Sequence, residues 1–288
     1  MIRALLLTSR PLSWVNTAYP FAAAYLLATG RVDAAFVVGT VFFLVPYNLA
    51  MYGINDVFDY ESDLRNPRKG GVEGALLRPE HHRATIVTAI AACVPFVVAL
   101  VVLGSPLSWL VLAVSLFAVA AYSAPVLRFK ERPFLDSITS STHFVSPAVY
   151  GLVLAGAEWT PATWAAIGAF FLWGLASHAF GAVQDVLPDR EAGIGSVATV
   201  IGARATVRLA LVLYLAAGLL LLVLPWPGVL AAVLAIPYLA MVAPFWNVTD
   251  ADSARANRGW RRFLWINYAV GFLVTMLLIA IAVLGAGG

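Results

Sequence analysis

Two short acidic stretches carry the clearest chemistry in this chain. The first reads Asn55-Asp56-Val57-Phe58-Asp59-Tyr60-Glu61-Ser62-Asp63. Asp56, Asp59 and Asp63 stand at i, i+3 and i+7, so a helix running through them presents all three on one face. Asn55 and Asp59 are related as i and i+4. Carboxylates on one stripe repel each other unless a cation lies among them. Hard oxygen ligands with open positions suit Mg²⁺, which keeps several waters and takes one or two carboxylates plus substrate phosphates. The second stretch reads Gln184-Asp185-Val186-Leu187-Pro188-Asp189-Arg190-Glu191-Ala192-Gly193, again with two carboxylates, Asp185 and Asp189, at i and i+4. The candidate metal ligands are therefore Asn55, Asp56, Asp59, Asp63, Asp185 and Asp189. Basic residues complete a site for a diphosphate. Arg68 and Lys69 follow the first stretch, and Arg128, Lys130 and Arg132 lie in a third polar segment that begins at Tyr122. Lys and Arg neutralise phosphate oxygens that a carboxylate-bound metal bridges.

The elements that position these residues are apolar. Of 288 residues, 61% are hydrophobic and only 11% charged, and mean hydropathy is +0.87. A soluble domain carries about 25% charged residues, so a soluble enzyme, a disordered chain and a nucleic-acid binder are all excluded. The one cysteine, Cys93, rules out an internal disulfide and a cysteine-cluster metal site. A spanning helix needs roughly 20 apolar residues. The uncharged runs then give nine transmembrane helices, near 12–30, 34–55, 84–103, 107–124, 137–156, 161–184, 205–224, 229–246 and 263–285. Arg3 and Arg10 bracket too short an apolar run for a cleavable signal. With nine spans, all 18 basic residues except Arg31 fall on one side. That bias puts the N-terminus and the charged loops in the cytoplasm and the C-terminus outside, in an integral cytoplasmic (inner) membrane protein. The acidic residues share that side, Asp33 and Glu158 excepted. Orientation does not require this, since acidic residues contribute little to it. The chain reads as a single membrane domain over 1–288, all-α and polytopic.

Taken together, these residues resemble the UbiA superfamily of intramembrane prenyltransferases. The family pattern N-x-x-x-D-x-x-x-D after helix 2 is met by Asn55, Asp59 and Asp63. The D-x-x-x-D after helix 6 is met by Asp185 and Asp189, with Gly193 trailing. Tyr122 and Lys130 resemble a third signature after helix 4, and Asn16 matches a recurring position in helix 1. The resemblance implies a nine-helix bundle with cytoplasmic cap loops. It also implies two Mg²⁺ ions between the clusters and an allylic diphosphate bound with help from Asn16, Arg68, Lys69 and Tyr122. Arg128 and Lys130 would stabilise charge on the departing diphosphate. The resulting allylic cation needs a dry apolar chamber and cation–π contacts, for which Phe58, Tyr122 and Tyr150 are candidates. The terminal base is left open among the diphosphate, Asp63 and a water.

Within the superfamily, the segment from Asn55 through Asn66-Pro67-Arg68-Lys69-Gly70-Gly71 is most similar to the lycopene elongases, of the elongase/hydratase type. That implies transfer of dimethylallyl groups from dimethylallyl diphosphate to the ends of lycopene, in the lipid bilayer and in the company of other carotenoid-pathway enzymes. Two other readings of the residues exist. One is an aromatic or polar-lipid acceptor such as a quinone precursor, a chlorophyllide or a glycerol-phosphate lipid. The other is a cation-coupled transporter, whose sites lie nearer the midplane than these carboxylates. His143 and His178 fall within spans, where a buried histidine more often only hydrogen-bonds. The Ser137–Thr142 run reads as interhelical bonding.

Overall fold

The computed structural model describes residues 2–64 and 76–286. Among these the chain is all-helical, with no strand. The helices are α1 (Ile2–Thr8), α2 (Val15–Thr29), α3 (Ala34–Leu44), α4 (Pro46–Phe58), α5 (Tyr60–Asp63), α6 (His82–Leu103), α7 (Pro106–Ser123), α8 (Leu135–Leu154), α9 (Pro161–Val183), α10 (Val186–Glu191), α11 (Val197–Leu220), α12 (Ile236–Val242) and α13 (Asn257–Ala286).

Among the described residues, seven helical stretches are long and apolar enough to cross a membrane: Ala34–Phe58, Pro79–Leu103, Pro106–Ser123, Pro161–Val183, Val197–Val223, Gly228–Phe245 and Ser253–Leu284. They correspond to seven of the nine expected spans. The other two segments are helical but fall short for different reasons. α2 has 15 residues, about 22 Å at helical rise, against a hydrocarbon core of about 30 Å. Its start is set by Arg10, at φ 50°, and by a 3-10 turn over Pro11–Ser13. α8 has 20 residues, a spanning length, but its first half is polar from Asp136 to His143.

The chain divides into two compact units: Met1–Phe129 with His143–Ala157, and Lys130–Thr142 with Glu158–Gly288. The first unit is built on aromatic rings. Phe21, Phe42, Phe43, Tyr47 and Tyr150 are fully buried, and Phe42 and Phe43 meet edge to face at 4.9 Å. Tyr150, a candidate for cation–π contact, belongs to this core. Its ring stacks on Phe21 and its hydroxyl donates to the Leu100 carbonyl at 3.4 Å.

Two breaks in this unit shape the first acidic stretch. Pro46 has no N–H, so α3 stops at Leu44 and α4 begins afresh. Asn48 ties the junction together. Its amide Nδ2 donates to the Phe43 and Leu44 carbonyls at 2.8 and 3.1 Å and to Thr17 Oγ1 at 2.7 Å. Asn48 is fully buried, and the Phe43 carbonyl also accepts from Thr17 Oγ1 at 2.7 Å, so Asn48→Ala loses the donor to the Leu44 carbonyl and to Thr17. A buried polar group that loses its partner costs about 1–3 kcal/mol, and Asn48→Ala is expected to destabilise the protein by that amount, read as a lowered melting temperature of the detergent-solubilised protein.

The second break corrects an expectation from the sequence. No continuous helix carries Asp56, Asp59 and Asp63 on one stripe. α4 ends at Phe58, Asp59 turns out of it at φ −99°, ψ −1°, and α5 restarts at Tyr60. Asp56 lies within α4 and Asp59 at its C-terminal end.

In the second unit, α9 and α11 pack along much of their length. Small buried residues line that seam, including Ala176, Ala179, Ala203 and Ala210, and let the backbones approach. Ser141 Oγ donates to the Phe171 carbonyl at 2.8 Å, and a Cβ on Gly174 would lie 2.3 Å from that hydroxyl. α11 is kinked at Gly202, with φ 81° and ψ 161°, a conformation essentially confined to glycine.

Candidate active site

The first acidic stretch leaves α4 where the end of α7 reaches it. Asn55 Nδ2 donates to Asp59 Oδ2 at 2.7 Å and to Ser123 Oγ at 2.9 Å. With its amide nitrogen used in this way, Asn55 keeps its carbonyl oxygen, the atom a hard cation takes. Asp59 is 6% exposed, and Arg128 Nη2 stands 3.9 Å from its Oδ1. A carboxylate at a helix C-terminus faces the negative end of the dipole; Asn55 and Arg128 supply the compensating positive groups. The segment that delivers Arg128 is strained. Val126 and Arg128 adopt φ 75° and 38°, uncommon for any residue but glycine and most so for the β-branched valine. Such strain gathers at ligand clamps. Tyr122 lies edge-on to His143, with ring centroids 5.2 Å apart, and His143 is buried.

Asp56, one turn earlier, is paired with Arg10. Its Oδ1 accepts from Arg10 Nη2 at 3.0 Å, and the two side chains are 0% and 20% exposed. The Arg10 guanidinium also lies 4.1 Å from the centre of the Tyr52 ring. Asn16 is exposed on the first turn of α2. Asp63 closes α5, but its side chain, together with Arg68 and Lys69, lies outside the described residues.

In the second unit, Asp185 occupies the junction between α9 and α10, and the Asp189 N–H donates to the Asp185 carbonyl at 2.9 Å. Gly193, at φ 70°, reverses the chain, and the Ile194 N–H returns to the Asp189 carbonyl at 2.8 Å. Gln184 Nε2 donates to the Gly181 carbonyl at 2.9 Å, and its Oε1 accepts from Asn257 Nδ2, at the start of α13. Arg190 pairs with Asp250 at 2.6 Å. Asp250 is held below the ordinary carboxylate range, first by the Ala203 N–H and then by Arg190, against some desolvation. Its contribution to stability is thus complete above about pH 4. It is lost only as pH falls through the depressed value of the folded state. Lys130 is half-buried on a 3-10 turn, Phe129–Glu131. His178 Nδ1 lies 3.1 Å from Ser137 Oγ, a hydrogen-bonded histidine as the sequence leads one to expect. Asp136 Oδ2 accepts from the Val197 N–H at 2.9 Å, which caps α11.

Among the described residues, no three His, Cys, Asp or Glu side chains gather closely enough to hold a metal by themselves. The donors that are present still fit Mg²⁺. They are all oxygen, come as one or two carboxylates with an amide, and leave positions for water and phosphate. Three further polar residues carry bonds here that no sequence motif marks: Arg10, Asp250 and Asn257.

The chain belongs to the UbiA prenyltransferase family, which it matches over residues 17–268. It is an enzyme that transfers prenyl groups. It is 57% identical over 280 residues to the lycopene elongase/hydratase of Corynebacterium glutamicum, covering 97% of this chain and 98% of that protein. It is 61% identical over 280 residues to the C(50) beta-cyclic carotenoids biosynthesis protein LbtBC of Dietzia sp., covering 97% of this chain and 65% of that longer protein. The fold is that of a UbiA homologue from Archaeoglobus fulgidus solved with GPP and Mg²⁺, at TM-score 0.69 and 18% identity over 93% of this chain and 99% of the other. The same homologue with DMAPP and Mg²⁺ gives TM-score 0.67 at 19% identity, over 93% and 98%.

Proposed function

We propose that this enzyme moves a dimethylallyl group from dimethylallyl diphosphate to the ends of lycopene, in a Mg²⁺-dependent reaction at the cytoplasmic side of the inner membrane. The observation that carries the proposal is the 57% identity, over nearly the full length of both chains, to a lycopene elongase/hydratase. In this reading α2 and α8 also cross the bilayer, making nine spans, and the whole chain acts as one domain. Asn55, Asp59 and Asp63 hold one ion; Asp185 and Asp189 hold a second. Bound Mg²⁺ supplies electrostatic stabilisation of the leaving diphosphate.

The chain's own residues do the rest. Arg68, Lys69, Arg128 and Lys130 neutralise phosphate oxygens, and Asn16 and Tyr122 help to seat the donor. When the allylic C–O bond breaks, its electron pair leaves with the diphosphate. The apolar interior keeps water from the allylic cation. The terminal alkene of lycopene then supplies the electrons of the new C–C bond. The tertiary cation so formed loses a proton or takes up water, with Asp63, the diphosphate or a bound water as base. Asp56 stays with Arg10 and anchors the N-terminal segment.

Purified protein supplied with lycopene, dimethylallyl diphosphate and Mg²⁺ should release diphosphate and yield products one or two isoprenyl units heavier than lycopene. A chelator should stop both. Turnover with a phenolic acceptor but not with lycopene would replace this reading.

A further inference from the structure

The kink at Gly202 breaks one rung of the α11 ladder, and two side chains from elsewhere in the second unit take up its two ends. In an unbroken helix the Ala203 N–H would donate to the Thr199 carbonyl. With Gly202 extended, that N–H donates instead to Asp250 Oδ1 at 2.7 Å. The freed Thr199 carbonyl accepts from Arg190 Nε at 3.0 Å and from Nη2 at 2.8 Å. Arg190 Nη1 then closes the circuit on Asp250 Oδ2 at 2.6 Å. The ion pair stands in for the missing backbone hydrogen bond. A Cβ on Gly202 would lie 3.2 Å from Asp250 Oδ1, so the glycine also makes room for the carboxylate.

An exposed ion pair alone is worth about 0–1 kcal/mol, and both side chains here are more than a third exposed. What this pair fixes is geometry. Arg190 is the residue after Asp189, and its planar fork uses three donors on two acceptors, which locks the direction of the guanidinium. On the other flank, Gln184, the residue before Asp185, is tied to Asn257. The two candidate metal ligands are therefore bracketed by tethers from one segment, 250–257.

We propose that Arg190 and Asp250 are positioning residues for the Asp185–Asp189 metal site, holding the ligand-bearing turn to the backbone of kinked α11. This rests on the metal–diphosphate reading given above. Residues that orient metal ligands typically change metal affinity 10–100-fold when removed. The test is Mn²⁺ binding to the detergent-purified full chain in the presence of inorganic pyrophosphate, followed by electron paramagnetic resonance, with the melting temperature recorded alongside. Asp250→Ala and Arg190→Ala should each raise the Mn²⁺ concentration for half-saturation about tenfold or more. Asp250→Asn should lose less, because its amide oxygen still accepts from Ala203. Arg190→Lys should not restore wild-type affinity, because an ammonium cannot reproduce the fork. Glu80→Ala, which breaks the exposed Arg78–Glu80 pair, should leave binding unchanged and shows that losing a surface pair is not enough. Half-saturation in Asp250→Ala within about twofold of wild type would overturn the proposal and leave the metal–diphosphate reading intact. Wild-type protein that binds no Mn²⁺ would overturn both. If Asp250→Ala does not fold, Arg190→Lys decides by the same criterion.

Discussion

Asp59→Asn and Asp189→Asn should each lower prenyl transfer by at least about 10²–10³-fold while the protein stays folded. The figure is that for removing one group that stabilises developing charge in a dry site; losing a metal with its ligand adds to it. Asparagine is the informative replacement at Asp59. It keeps the shape and an oxygen for Asn55 Nδ2, now 2.7 Å away, and removes the charge that faces Arg128. The melting temperature should therefore move little. Steady-state assays over a Mg²⁺ series, with melting curves on the same samples, separate the two effects. Near-normal turnover in either variant would show that its carboxylate does not hold the metal.

Asp56 should behave in the opposite way, although it lies only three residues away. Its side chain is wholly buried against Arg10. Removing one member of a buried pair costs about 3–5 kcal/mol because the other charge is left without its partner. Arg10 keeps 20% exposure and its contact with Tyr52, so the low end, about 3 kcal/mol, is expected for Asp56→Ala. For a chain of this size that is a fall of about 6–12 °C in melting temperature. The Mg²⁺ dependence of the remaining active fraction should be unchanged. A variant with an unshifted melting temperature and weakened Mg²⁺ activation would return Asp56 to the metal site.

These two residues show what was legible in the sequence. Acidic residues gathered where orientation did not require them, and that excess pointed to the two clusters. Helical spacing then placed Asp56, Asp59 and Asp63 on one stripe. The spacing argument holds only while the helix runs on, and α4 stops at Phe58. Periodicity carries no information about a break whose compensating groups, Asn55, Ser123 and Arg128, include partners about 70 positions away. The ion pair at Gly202 was illegible for a related reason. Asp250 and Arg190 bond the Ala203 N–H and the Thr199 carbonyl where the backbone departs from helix, and a lone glycine in an apolar run does not announce φ 81°. Hydropathy located seven spans. The other two helices fall short of a spanning apolar stretch where other forces set them: α2, shortened by the turn at Arg10 and Pro11, and α8, whose Ser141 and Asp136 are used in bonds to α9 and α11.

The central claim is the transfer of dimethylallyl groups to a hydrocarbon acceptor, and the most direct measurement is the mass of the carotenoids made in cells. A lycopene-accumulating host expressing the wild-type chain should convert lycopene to species carrying one and two added isoprenyl units, with or without added water. The same host expressing Asp59→Asn should keep its lycopene. Unchanged lycopene alongside well-expressed, membrane-inserted wild-type protein would contradict the account.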